Sequence, residues 1–307
     1  MLSYAIRRLL GAIPTLFIIV TLTFFVMRLA PGGPFDQEQS LPAQIRANLQ
    51  AAYGLDQPLS VQYWRYLRGV AHGDFGPSFR YRDFTVTELI AQGLPVSVTL
   101  GLAALALSIL IGIPLGAVAA VRHNQPLDHA LMAVSLIGLA LPTLVVAPLL
   151  ALFFGIKLGW LPVGGWEPGS LRTLVLPAFA LALPLIAFVS RLTRASLLEV
   201  LGSAFIRTAR AKGMPEFVVV MRHALRPALL PVISYLGPAT AAVLTGSLVV
   251  ETLFNIPGMG KYLVQGALNR DYTLVMGFVV VYATLTLLMN LLVDLAYGVL
   301  DPRVRHE

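Results

Sequence analysis

The amino-acid sequence predicts an all-α polytopic membrane protein with six transmembrane helices. Of the 307 residues, 57% are hydrophobic and only 12% are charged, about half of the charged fraction of ordinary soluble domains. The mean hydropathy is +0.78. Six uncharged windows approach or exceed the about 20 residues that a helix needs to cross the hydrocarbon layer, and their pattern is not the strict alternation of a barrel strand. The windows are residues 9–27, 89–121, 130–156, 173–190, 227–250 and 272–293.

Basic residues are concentrated in alternate segments between these windows. With the N-terminus inside, twelve Lys and Arg side chains lie in cytoplasmic segments and four in the two short outer loops. Because short cytoplasmic loops carry an excess of Lys and Arg, we expect both termini in the cytoplasm. The clustering of basic residues beside apolar windows argues against nucleic acid as a partner. The twelve are Arg7, Arg8, Arg122, Arg191, Arg194, Arg207, Arg210, Lys212, Arg222, Arg226, Arg303 and Arg305.

The windows divide the chain into four segments. The first window follows Arg7 and Arg8 and resembles a signal peptide, but it is longer than a usual signal core and lacks a small-residue cleavage site after it. We therefore expect a retained span. In order, the segments are the first transmembrane helix (1–30), an external helical segment (31–88), a five-helix core (89–300) that contains a cytoplasmic loop (191–228), and a cytoplasmic tail (301–307).

The external segment shows short amphipathic stretches. Leu41, Ile45 and Leu49 recur at helical spacing, and the aromatic stretch from Tyr63 to Leu67 does the same. Aromatic side chains are enriched at the headgroup level of membranes. This segment is expected to pack on the membrane part as a cap without a hydrophobic core of its own. The second window has 33 residues, so its first part is expected to lie outside the bilayer or at its surface.

The cytoplasmic loop is the most basic loop of the chain. Between Arg191 and Pro231, seven Lys and Arg side chains stand against two acidic ones. Ser203 is suited to an N-cap and Gly213 to a helix stop, which predicts a helix of about ten residues before a second helix opened by Pro215. Helical spacing places Arg207 with Arg210 on one face and Phe205 with Ala209 on another. Two interpretations remain open: a loop that only fixes topology, or a helix that docks in a groove on a partner.

The stretch FIRTARAKGMPEFVVVMRHALRPALLP (205–231) closely resembles the coupling motif of permease subunits in ABC-type peptide importers. The usual Glu-Ala-Ala then Gly pattern is present as Thr208, Ala209, Arg210 and Gly213, without the leading Glu. The stretches LDQPLSVQYWRYLRGVAHGDFGPSF, LGWLPVGGW and GSLVVETLFNIPGMGKYLVQGALNRDY also match, so the resemblance covers nearly the whole chain. It implies coupling to an ATPase through Phe205, Arg207, Thr208, Ala209, Arg210, Lys212 and Gly213.

The same resemblance implies a type I ABC importer permease in the bacterial inner membrane, surrounded by membrane lipid. Its partners would be a homologous second permease, two cytoplasmic ATPase subunits and an extracytoplasmic peptide-binding protein. ATP and Mg would be used by the ATPase subunits, with no cofactor and no catalytic residue in this chain. The branch it resembles most is that of oligopeptide importers, with dipeptides, glutathione or nickel chelates as alternative solutes.

Prolines and small polar residues recur inside the predicted spans. They predict kinked helices with small polar faces, which suit either close helix packing or a solute path. Both interpretations remain open. The candidate path residues are Pro142, Pro184, Gly237, Thr240, Thr245 and Ser247.

Other patterns do not support chemistry in this chain. Residues 256–262 resemble a phosphate-binding loop but lack its first Gly and its Ser/Thr, so we expect a turn before a short external helix. Glu251 and Asp294 follow apolar windows and are expected at the membrane interface. Only His123 and His129 approach a metal-ligand spacing, which is too weak a signal to predict a site, and there is no cysteine. A secondary transporter would need ionisable residues at mid-membrane, and an intramembrane enzyme a catalytic pair there; both remain less favoured alternatives.

Overall fold

The computed structural model describes residues 2–29, 44, 50, 51, 53–81 and 83–300, with the side chains of 2–9, 241, 244–246 and 293–300 outside the description. Within this part the chain is mainly helical, and β-pairing is limited to an isolated antiparallel bridge between Pro77 and Thr85. The helices are α1 (Leu2–Leu29), α2 (Leu59–Ala71), α3 (Val86–Val121), α4 (Pro126–Ala140), α5 (Thr143–Lys157), α6 (Leu171–Leu201), α7 (Ala204–Ala211), α8 (Glu216–Ala228), α9 (Leu230–Gly246), α10 (Leu248–Leu253), α11 (Met259–Leu268) and α12 (Tyr272–Leu300).

The described helices contain the spans that the sequence predicts. Parts or all of α1, α3, α6 and α12 are long and apolar enough to cross a membrane. Two bent pairs, α4 with α5 and α8 with α9, add two further spans when each pair is counted as one. The all-α, six-span prediction is therefore confirmed on that count.

The third predicted window, 130–156, is not one straight helix. The chain bends by 103° between α4 and α5. The bend occurs where Leu141 adopts extended backbone angles (φ −84°, ψ 121°) directly before Pro142. The proline ring disfavours helical angles in the preceding residue and removes a backbone donor. Uncharged composition alone could not reveal this break.

The second and fifth windows also differ from the expected bounds. Helix α3 begins at Val86, before its window, with a capping box between Thr85 and Glu88. Its 36 residues extend about 54 Å, which exceeds the ~30 Å hydrocarbon layer, so part of it must lie outside. The fifth window, 227–250, is divided by a 48° bend between α8 and α9 and by a second helix boundary at Ser247.

The packing of α3 against α6 forms the centre of the subunit. At Gly112 an added Cβ would lie 2.9 Å from Cγ1 of Val189, and at Gly116 it would overlap the carbonyl oxygen of Ser190. Small residues thus allow the two backbones to approach closely. The Ser190 hydroxyl also donates to Oγ of Ser135 in α4, at 2.9 Å. This contact fixes α4 on the same pair.

The external segment packs on the ends of α1 and α12. The rings of Tyr63 and Tyr66 in α2 lie 5.3 and 5.6 Å from that of Phe24, and the hydroxyls of Tyr63 and Thr21 are 2.8 Å apart. Buried Tyr272 and Met276 complete this cluster. The amphipathic helix predicted around residues 41–52 lies outside the described residues, apart from helical positions 44, 50 and 51.

Candidate coupling surface and translocation face

Helix α7 is held against its own subunit by two side chains. Ile206 and Ala209 are buried, with 0% and 6% of their surface exposed. They pack with Leu197 of α6, Ala120 at the end of α3, and Val219 of α8. Phe205, one turn before Ala209 on the same helix, is 52% exposed. Ile206 and Ala209 are three residues apart and therefore share a helix face, so helical spacing also groups the two residues that are buried.

The outer side of α7 and α8 forms an exposed surface, which we call the loop surface. Its large apolar side chains are Phe205, Phe217 and Met221, which are 52%, 75% and 50% exposed. Sequence reasoning missed Phe217 and Met221, although both lie in the quoted motif. The surrounding exposed residues are Arg207, Thr208, Arg210, Ala211, Lys212, Gly213 and Arg222.

An ion pair closes the turn between α7 and α8. Arg210 donates from Nε to Oε2 of Glu216 at 3.0 Å and from Nη2 to Oε1 at 2.6 Å. The guanidinium beside it lowers the pKa of the Glu216 carboxyl, and both groups lie in the charged loop rather than in an apolar span. Bidentate pairs of this kind fix geometry, but exposed pairs contribute little to stability.

Gly213 ends α7 as the sequence predicts. Its φ is +76°, in the left-handed region that glycine adopts without strain. An added Cβ would meet no atom within 4 Å. The positive φ of Gly213, and not a lack of space around its Cα, therefore favours glycine at this position. Ser203 occupies the N-cap position in extended conformation, but its hydroxyl donates to the carbonyl of Val200 at 2.6 Å and makes no cap hydrogen bond to α7.

A buried ion pair supports the base of this loop. Asp128 at the start of α4 is fully buried and accepts from Nε and Nη2 of Arg194 in α6, at 2.6 and 2.7 Å. The Asn124 backbone N–H also donates to this carboxylate, at 3.0 Å. Because the Asp128 acceptors are satisfied from two sides, the turn between α3 and α4 is tied to α6 a few residues before α7.

The candidate path residues do not share one site. Pro142 is exposed at the break between α4 and α5, and Pro184 is half-buried inside α6. In α9, Gly237 is buried and Thr240 is half-buried, with its hydroxyl bonded to the Leu236 carbonyl at 2.6 Å. The side chain of Thr245 lies outside the described residues.

Ser247 belongs to a buried polar cluster around Glu251 inside the subunit, and the interfacial depth expected for Glu251 stays a prediction. Both residues are 0% exposed. The hydroxyls of Ser97 in α3 and of Ser247 each donate to Oε1 of Glu251 at 2.6 Å, and the Gly260 N–H donates to Oε2 at 2.7 Å. The Ser97 hydroxyl in turn accepts from the Met259 N–H at 2.9 Å. The side chain of Asp294 lies outside the described residues.

This cluster fixes the turn that resembled a phosphate loop. The turn precedes α11, and Asn255 within it has φ +53°. An added Cβ at Gly258 would overlap the Glu251 carboxyl. The glycines of this motif therefore allow a carboxylate to approach the backbone closely. Among the described residues, no group of three His, Asp or Glu side chains could hold a metal ion.

Known proteins resemble this chain over its whole length. Residues 112–306 match the family described as binding-protein-dependent transport system inner membrane component, and residues 1–101 match its N-terminal counterpart. The chain belongs to this family. Its members are inner membrane components by description, and the fold just described is that of a polytopic helical membrane protein.

Curated relatives are similar from end to end. The oligopeptide transport system permease protein OppB of Salmonella typhimurium is 51% identical over 100% of both chains, and that of Escherichia coli K12 is 50% identical over the same share. The dipeptide transport system permease protein DppB of Bacillus subtilis is 43% identical over 99% of this chain and 98% of its own. These relatives are permease proteins of transport systems.

Solved structures agree with the fold at low sequence identity. An inward-facing form of the MetNI methionine ABC transporter has a TM-score of 0.56 at 18% identity, covering 69% of this chain and 96% of the other. An amino acid ABC transporter has a TM-score of 0.55 at 19% identity, covering 69% and 94%. The helical arrangement is thus that of ABC importer permeases.

Proposed function

We propose that this chain is the transmembrane permease subunit of an ATP-driven oligopeptide importer and forms half of its translocation path. The observation that carries the proposal is the 51% identity to an oligopeptide permease over the full length of both chains. The chain would work with a homologous second permease, two cytoplasmic ATPase subunits and an extracytoplasmic peptide-binding protein. Hydrolysis of ATP with Mg would take place on the ATPase subunits, and both termini of this chain would lie in the cytoplasm.

The loop surface supports a coupling role. Its exposed Phe205 and Phe217 are surrounded by basic side chains, which suits an apolar groove with acidic groups at its rim. Ile206 and Ala209 secure α7 to the ends of α3 and α6, so a force applied to α7 would reach the spans. Energy can enter the permease only if the ATPase contacts differ between two states.

The proposed path lies on the proline-containing helices. Pro142, Pro184 and Thr240 are exposed or half-buried within the subunit, so they are available to a second permease or to a solute. The external binding protein would meet the pieces around α2 and around α11. Such a path does not need fixed ion ligands, because peptides of varied sequence require a wide passage with little selectivity for their side chains.

Dipeptides are the second candidate substrate class. The supporting observation is the 43% identity to a dipeptide permease over 99% of this chain. Because this identity is lower than the 51% to the oligopeptide permease, dipeptides rank second. Selectivity among peptides would depend mainly on the binding protein, so the permease sequence separates the two classes only by overall similarity.

Growth of an amino-acid auxotroph on defined peptides tests the substrate. Deletion of the gene should abolish growth on a tripeptide or tetrapeptide containing the required amino acid, and a plasmid copy should restore it. Growth on the free amino acid is the control. If deletion spares these peptides and abolishes dipeptide use, the oligopeptide assignment is wrong although the permease role stands.

Substitution of Phe217 tests the coupling role. In the reconstituted complex, Phe217→Ala should reduce the ATP hydrolysis that the loaded binding protein stimulates, because an anchor of the loop surface is removed. Leu171→Ala at the other end of α6 is the matched control, since Leu171 is also highly exposed, at 74%. Equal stimulated hydrolysis in both variants would remove Phe217 from the coupling contact.

A further inference from the structure

A cavity of about 260 Å³ lies where the external segment meets the ends of α1 and α12. It is distinct from the loop surface and from the Glu251 cluster. Its walls come from α1, from α2, from the loop at residues 73–77, and from the first turns of α12. The polar side chains among its lining residues include Arg28, Gln62, Arg65, Tyr66 and Asp74.

Three buried polar atoms of this wall lack hydrogen-bond partners within the described part of the chain. They are Nε of Arg28, Oε1 of Gln62 and Oη of Tyr66. Gln62 is only 8% exposed, and its amide nitrogen is already used by the carbonyls of Leu55 and Gln57, at 3.1 and 2.7 Å. Its oxygen is therefore left as a fixed acceptor. Buried polar groups normally have partners, so three orphans around one cavity indicate a polar occupant.

The cavity wall offers both hydrogen-bond donors and acceptors. The Arg28 guanidinium is held 5.3 Å from the Phe24 ring centroid and 5.8 Å from that of Tyr272. Burial raises the pKa of the Tyr66 phenol, so its hydroxyl keeps its proton and can donate. Asp74, which accepts from the Gly76 N–H at 2.9 Å, retains carboxylate lone pairs as acceptors.

The formal charges of the described lining residues sum to +1, from the guanidinium groups of Arg28 and Arg65 and the carboxylate of Asp74. A singly charged anion would neutralise this sum. The free donors suit its oxygens, because Arg binds phosphate oxygens through directed N–H groups. Gln62 Oε1 would accept from a hydroxyl of the same ligand. A phosphodiester with a hydroxylated head satisfies both requirements.

The position of the cavity indicates a membrane lipid as the source. Arg28 directly follows the uncharged window 9–27, so it lies at the end of a span, where headgroups are found. The part of α1 that precedes Arg28 is apolar and exposed at Leu22 and Val26, by 58% and 61%. Acyl chains on that part of α1 would place their phosphate beside Arg28.

We propose that this cavity binds the headgroup of an anionic, hydroxyl-bearing phospholipid of the phosphatidylglycerol class. Arg28, Arg65 and Tyr66 donate to the phosphate oxygens. Gln62 and Asp74 accept from the glycerol hydroxyls. The bound lipid bridges α1, α2 and α12, and so attaches the external segment to the first span.

Native mass spectrometry and thermal unfolding of the full chain in detergent test this proposal. Phosphatidylglycerol should give a retained adduct and raise the unfolding midpoint more than phosphatidylethanolamine or inorganic phosphate does. Arg28→Gln and Arg65→Gln should each weaken phosphatidylglycerol binding by about tenfold or more, because each removes charge-assisted hydrogen bonds. Arg65 is exposed, so its variant remains informative if Arg28→Gln fails to fold.

Arg68→Gln is the matched control, since Arg68 is an exposed arginine of the same helix outside the cavity wall. Equal adducts in the Arg65 and Arg68 variants would overturn the site. If inorganic phosphate stabilises the chain as much as phosphatidylglycerol does, the lipid assignment is wrong. If phosphatidylethanolamine binds as well as phosphatidylglycerol, neither the charge balance nor the glycerol hydroxyls select the lipid.

Discussion

At the scale of single residues, the charged loop separates positions that look alike in the sequence. Thr208 and Ala209 are neighbours in the recognised motif, yet Thr208 is exposed and Ala209 is 6% exposed. Ala209 therefore contacts its own subunit, and a contact with a partner falls to the side chains around it. Gly213 differs again, because its importance rests on backbone conformation.

Ala209→Asp should loosen α7 from the spans even in the isolated chain. The new carboxylate would face the apolar cluster of Leu197 and Val219 without a partner, at a cost on the order of a few kcal/mol. Limited trypsin digestion in detergent should cut the loop faster than in the wild type. Thr208→Asp is the control at an exposed position, and equal digestion of the two variants would contradict the burial of Ala209.

Gly213→Val should impair coupling through backbone strain alone. A β-branched residue at φ +76° costs about 1–2 kcal/mol. An added Cβ at this position would meet no atom within 4 Å, so the backbone conformation is the cause of that cost. Gly213→Asn is the control, because Asn tolerates the left-handed region. In the reconstituted complex, binding-protein-stimulated ATP hydrolysis should fall for Val and largely persist for Asn. Equal activities would show that the positive φ is unimportant.

At the scale of helices, buried polar contacts join elements that are far apart in the chain. Glu251 in α10 is bonded to Ser97 in α3, 154 residues away, and to the first turn of α11. A carboxylate only accepts hydrogen bonds, and here hydroxyl and N–H donors supply them. The cluster therefore holds α11 and its turn on the outer part of α3.

Glu251→Gln should destabilise this junction although it keeps the size of the side chain. The amide can accept the two serine hydroxyls through its oxygen, but its NH₂ group then faces the Gly260 N–H. An unpaired buried N–H costs about 1–3 kcal/mol, so the unfolding midpoint in detergent should fall. Thr252→Ala at the adjacent exposed residue is the control, and an unchanged midpoint for Glu251→Gln would argue against the hydrogen-bonded arrangement.

At the scale of the whole molecule, charge and bent helices together define how the chain crosses the membrane. Four helices can span by themselves, and two further crossings depend on the bent pairs. With six crossings, the charged loop and the external segment lie on opposite sides. The proposed orientation places the loop surface in the cytoplasm, where ATPase subunits are available.

Single-cysteine labelling can test this orientation, because the chain has no cysteine of its own. Gln57→Cys and Lys212→Cys introduce thiols at exposed positions on opposite sides of the proposed topology. A membrane-impermeant maleimide should label Cys at 57 in intact spheroplasts and Cys at 212 only after the membrane is opened. Labelling of both positions in intact spheroplasts would contradict the six-span topology.

The sequence by itself determined the features that depend on local composition and spacing. Low charge and long apolar windows are enough to predict helical spans, since a backbone in lipid must satisfy its own hydrogen bonds. Gly213 could be recognised as a helix stop because a left-handed residue is a local requirement. The charged loop between two windows could likewise be recognised without any tertiary contact.

Only the tertiary structure decided which side chains meet. The burial of Ile206 in place of Phe205 depends on the ends of α3 and α6, which lie elsewhere in the sequence. The position of Glu251 just past an apolar window does not reveal its burial, because its donors come from α3, from Ser247 and from the first turn of α11. The 103° bend at Pro142 is of the same kind, since a proline permits a kink but packing sets its size. Periodicity and composition describe one element at a time, and these contacts arise between elements.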